Sequence, residues 1–142
     1  MPLSNSVKAN IINILAGRQS SFSNSNVYVG LSTTTPSGDG TNITEPSDTY
    51  YKRVLIGNYE QNLTKKMTNA TESNPESENA DPILFDKAST SWGTITHVVF
   101  YDKQLGESNA RFLGYSALTT SVTVGQGNVA RIAAGDLTIS IE

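Results

Sequence analysis

The chain has 142 residues, with 10 basic against 13 acidic side chains for a formal net charge of −3, a single histidine and no cysteine. This composition excludes disulfides, thiolate metal sites, cysteine nucleophiles and histidine-rich metal centres. It also lacks the concentrated positive field that tracks a phosphate backbone, and its short apolar runs cannot cross a bilayer, so neither nucleic acid nor membrane is an expected partner.

The first predicted element is a helix. Val7, Ile11, Ile14 and Leu15 recur at helical spacing and draw an apolar stripe, with Ser4 or Asn5 as cap and Gly17 as a left-handed stop. Lys8 interrupts the apolar pattern, which argues against a secretory leader. Polar residues 18–26 then lead to Val27-Tyr28-Val29-Gly30-Leu31-Ser32, a strand by strict alternation. Residues 33–47 read as a loop, and residues 50–57 as a second strand with Tyr51, Val54 and Ile56 inward. Residues 58–81 form a polar excursion, acidic toward its end. It holds either an irregular strand around 63–67 or a protrusion.

The second half is more regular. Strands are expected at 82–88, 95–101, 111–118, 121–124, 129–133 and 137–141, separated by turns rich in Gly, Asn and Asp. The near-continuous apolar run at 95–101 suits a central strand. The fold class is therefore all-β: an antiparallel β-sandwich or jelly-roll-like domain over residues 18–142, with a short N-terminal helix over residues 1–17.

Candidate chemistry is sparse. His97 lies alone in a strand without partner ligands, and no G-x-S-x-G turn accompanies it, so a packed histidine is the expectation. Glu72, Glu76, Glu78 and Asp81 sit on the polar excursion, where rigid placement of two carboxylates is not expected; a solvated loop fits better than a weak calcium site. Gly38-Asp39-Gly40 and Gly125-Gln126-Gly127 lack the following Lys-Ser/Thr of a phosphate cradle. Asn-x-Ser/Thr triplets at Asn42, Asn62 and Asn69 are expected by chance in a chain of which Ser, Thr and Asn supply about a third. Trp92, Tyr50 and Tyr51 are candidates for a sugar-stacking surface, against core packing as the ordinary fate of aromatics. No catalytic residue, metal or cofactor is expected, and charged residues at only 16% of the chain suit life inside an assembly.

Four segments in collinear order resemble small structural proteins of tailed bacteriophages, often labelled tail-fibre or minor structural proteins. They are the opening helix with Val27 through Ser32-Thr33-Thr34-Thr35-Pro36; Glu45-Pro46 with Tyr51-Lys52-Arg53-Val54; Ser91-Trp92-Gly93-Thr94-Ile95-Thr96-His97-Val98; and Ile132-Ala133-Ala134-Gly135-Asp136-Leu137-Thr138-Ile139. The resemblance implies a non-enzymatic virion component, assembled in the bacterial cytoplasm, that decorates the head, forms a collar or belongs to the tail and its fibres. It implies other virion proteins as partners and a homo-oligomer. The helix stripe could dock on the chain's own sheet or on a neighbour; the polar joint over residues 18–26 lets it dock away, so Val7, Ile11, Ile14 and Leu15 are the expected contacts. A carbohydrate-binding module facing host-surface glycan, built on Trp92, Tyr50 and Tyr51, is the competing expectation.

Overall fold

The computed structural model describes residues 2–19, 26–58 and 67–141, and among them one helix and eight strands form. Helix α1 (Asn5–Leu15) begins at Ser4, whose hydroxyl accepts from Val7 N at 3.2 Å. It stops where Gly17 turns left-handed at φ 71°, with Gly17 and Arg18 N–H groups returning to the Ile14 and Asn13 carbonyls. Only glycine takes that conformation without steric cost.

Strands β1 (Asn26–Ser32), β2 (Val54–Asn58), β5 (Gly93–Tyr101) and β6 (Phe112–Val124) build an antiparallel sheet in the order β2-β1-β5-β6. The remaining strands make two ribbons, β3 (Glu76–Glu78) with β8 (Thr138–Ser140) and β4 (Ile83–Leu84) with β7 (Arg131–Ile132). Register pairs Val29 with Phe100 and Leu31 with Val98, which puts these four side chains on one face. That face shares a core with Ile56, Ile83, Phe85 and Leu137, so the ribbons close over the sheet as the second layer of a sandwich-like domain. The alternation in β1 and the apolar run in β5 report the sheet interior, as the sequence suggests.

Several boundaries differ from expectation. β2 starts only at Val54, because residues 48–51 make a turn in which Tyr51 N–H reaches the Asp48 carbonyl. The stretch expected at 82–88 pairs as a ladder only over Ile83–Leu84, although Phe85 and Ala88 N–H still bond Ala130 and Asn128 carbonyls. Strands expected at 111–118 and 121–124 are one strand, β6. In the excursion, residues 59–66 lie outside the described residues, Met67 makes an isolated bridge with Asn79, and β3 is a strand that polar Glu76-Ser77-Glu78 does not announce.

Candidate functional site

The four segments singled out in the sequence share one structural property. Each contributes to a buried or half-buried polar lock that holds a loop against the sheet. The first lock joins Glu45 and Arg53, whose ion pair is 2.8 Å from Nη2 to Oε2, with side-chain exposures of 6% and 12% for Arg53 and Glu45. Arg53 Nε donates to Glu45 Oε1 at 3.0 Å, making the pair bidentate, and Nη1 donates to the Lys103 carbonyl. The guanidinium also lies 3.6 Å from the Tyr101 ring centroid. Burial opposes the Arg53 charge, yet its hydrogen bond and attraction to Glu45 outweigh that, and its pKa rises.

Tyr51 completes this lock. Past Val29, β1 has no partner on β2, and the Tyr51 hydroxyl accepts the free Leu31 N–H at 2.9 Å while donating to Glu45 Oε1 at 2.7 Å. Burial first, then the Glu45 carboxylate, push the Tyr51 hydroxyl far above its ordinary pKa. A glycine at position 30 makes the arrangement possible. A Cβ there would collide with Glu45 Oε1 and the Tyr51 hydroxyl. On the far side, the Gln104 side-chain amide takes Arg53 N–H and gives to the Arg53 carbonyl, as a neighbouring strand would.

Asp48 organises the second lock. Its carboxylate accepts from Ser89 Oγ (2.5 Å), Ser89 N (2.8 Å), Trp92 Nε1 (2.8 Å), Tyr50 N (3.1 Å) and Thr90 N (3.3 Å). The Ser89 hydroxyl leads, outweighing partial burial, and with the Trp92 indole it holds the Asp48 carboxyl well below the usual carboxylate range. In the third, Asn79 is 1% exposed and donates to Asp81 and Ala133 carbonyls while accepting Leu137 N–H, which fixes the Gly135-Asp136 turn. In the fourth, Ser32 Oγ accepts Thr34 and Thr44 N–H, and Asn42 Nδ2 reaches the Thr35 carbonyl, zipping the Thr-Thr-Thr-Pro loop onto residues 42–44.

These placements correct part of the expected site. Trp92 (4% exposed) and Tyr51 (2%) pack edge to face with ring centroids 5.4 Å apart and have no face for a sugar; only Tyr50 is open, at 58%. The indole turns inward because Asp48, 44 residues earlier in the chain, takes its N–H. The helix stripe divides as well. Val7 is buried in the chain's own core and Ile11 packs against it. Ile14 is half-buried, while Leu15 (83% exposed) and Ile12 (63%), a residue outside the expected stripe, remain open.

His97 is half-buried, with Nδ1 2.8 Å from Thr96 Oγ1 and its ring beside Tyr115, and burial lowers its pKa. Among the described residues no three acidic or histidine side chains converge as metal ligands would. Chemically, then, the conspicuous polar side chains hold loops. Sequence reading missed the Glu45–Arg53 pair; an arginine just before β2, eight residues after a glutamate, is the signal that could have found it, since a buried charge needs a partner.

No curated protein matches the chain. One family profile matches residues 2–140, nearly end to end, across all four locks and the helix that precedes them. The chain belongs to that family, described as podophage GP4 fiber I protein gp80, and so to the structural fibre proteins of phage virions.

Proposed function

We propose that the protein is a non-enzymatic fibre component that works by rigid assembly with other virion proteins, as a homo-oligomer built in the bacterial cytoplasm. The observation that carries this reading is the use of its polar side chains. Glu45, Asp48, Arg53 and Asn79 are spent on holding loops in place, which is what a part needs if it must present one fixed surface many times over. Attachment through the outer side of α1 fits the same picture. Leu15 and Ile12 are exposed aliphatic side chains on a helix whose other side is already anchored by Val7. Apolar burial at ~25 cal/mol per Å² gives such residues a useful share of a contact.

Negative-stain imaging of purified particles with an antibody against the chain tests this. Label on the fibres is the expected result, and particles without label overturn it.

A further inference from the structure

Strand β6 lies at an edge of the main sheet, and its outer side is treated differently along its length. Residues 2–4 add to its first part as a short antiparallel strand. Leu3 bridges Gly114, Ser4 N–H reaches the Leu113 carbonyl at 2.9 Å, and Tyr115 N–H reaches the Pro2 carbonyl at 3.0 Å. Past Tyr115 no described residue continues the addition, and Ala117 and residues 119–123 are exposed.

The same stretch parts from β5 on its inner side. His97 faces Ala117 and Ile95 faces Val122, so residues 118–121 stand against Thr96 alone and bow out of the ladder. Behind the bow is a cavity of about 470 Å³ lined by Leu31, Ile95 and Val98. Residues 112–130 carry no charged side chain, and residues 116–123 contain no proline. Monomeric sheet proteins blunt an open edge with charge, with proline, or with a bulge that twists it away. Here charge and proline are both missing, and the bow takes residues 118–121 out of register with β5, with the cavity behind them.

We propose that residues 117–123 are a strand-addition surface, and that its occupant is the same segment of a second copy of this chain, antiparallel about a local two-fold axis. The inference rests on the homo-oligomer in the reading above and names its contact. Charge and symmetry select the second copy. Pairing centred on Thr120 sets Thr119 opposite Ser121, Leu118 opposite Val122 and Ala117 opposite Thr123, which are hydroxyl and apolar pairs without like charges. A charged partner strand finds no complement on this edge. The edge also already accepts antiparallel addition over its first part, from residues 2–4.

Sedimentation of the whole chain across a range of concentrations tests the proposal, alongside Thr119→Pro, Thr120→Pro and Ser121→Lys. Consecutive amides point to opposite sides, so one proline removes an outward donor, and the lysine faces Thr119 of the second copy with its own symmetry mate on the adjacent diagonal. The wild type is expected to associate in the micromolar range. The lysine variant and at least one proline variant are expected to associate about tenfold more weakly or worse, with the melting temperature of the dilute protein unchanged. A wild type that stays monomeric overturns the proposal, as do variants that all associate normally. Should the variants fail to fold, amide exchange of the wild type decides: slower exchange at residues 117–123 on concentration supports the pairing, and unchanged exchange overturns it. Presence on particles is read separately, so a monomer found on fibres refutes only the pairing, and a dimer absent from particles refutes only the virion reading.

Discussion

At the scale of single residues, the energetics of this protein turn on buried polar atoms whose partners are distant in sequence. Removing one member of a buried ion pair leaves the other charged and unpaired, which costs on the order of 3–5 kcal/mol, whereas replacing both with apolar groups costs far less. Glu45→Gln is therefore expected to lower unfolding free energy by about 3 kcal/mol in urea titration, and the double variant Glu45→Leu, Arg53→Met by clearly less. Gly30→Ala forces a methyl group into Glu45 and Tyr51 and is expected to cost roughly 1–3 kcal/mol by the same measurement.

Asp48 supplies the pH dependence. Its folded pKa is depressed below the ordinary 3.8, so its contribution is present above that value and is lost as pH falls toward the folded pKa. Melting temperature measured from pH 6 down through the acid range should fall in the wild type. Asp48→Asn should start lower and lose less over the same range, and parallel curves would remove Asp48 from the account. Sequence reading pointed to Trp92 and Tyr51 as surface candidates because an indole and a phenol suit either a core or a ligand. What decides is Asp48 and Glu45 arriving from another loop, which no local pattern reports.

At the scale of elements, the strongly periodic pieces were legible and the paired ones were not. Val27, Val29 and Leu31 alternate because one side of β1 faces the core, and the run at 95–101 is apolar because β5 sits between two strands. β3 is polar on every residue and exists because Glu76 and Glu78 pair in register with Ser140 and Thr138, about sixty residues later. The helix was placed correctly, and its stripe was visible. How that stripe divides between the chain's own core and open surface depends on residues 2–4 tying α1 to β6, which periodicity does not contain.

That division gives a test with opposite outcomes at two positions. Val7→Asp buries a charge and is expected to lower the melting temperature steeply, while Leu15→Asp should leave it nearly unchanged and weaken attachment to particles instead. Ser4→Ala, which deletes the helix cap, should cost about 1 kcal/mol on thermal or urea unfolding.

At the scale of the whole molecule, a chain one-third Ser, Thr and Asn achieves a fixed shape by closing its loops with hydroxyls, amides and a few enclosed charges, leaving much of the exterior uncharged. Low surface charge is a handicap for a free protein and an asset for one packed against others. This chain is expected to be a regular part of the particle. Quantitative mass spectrometry of density-purified, salt-washed virions measures this most directly, as copies of the chain per copy of the capsid protein. A fixed ratio, the same between preparations and resistant to washing, is expected. A ratio that falls toward zero on washing would contradict it.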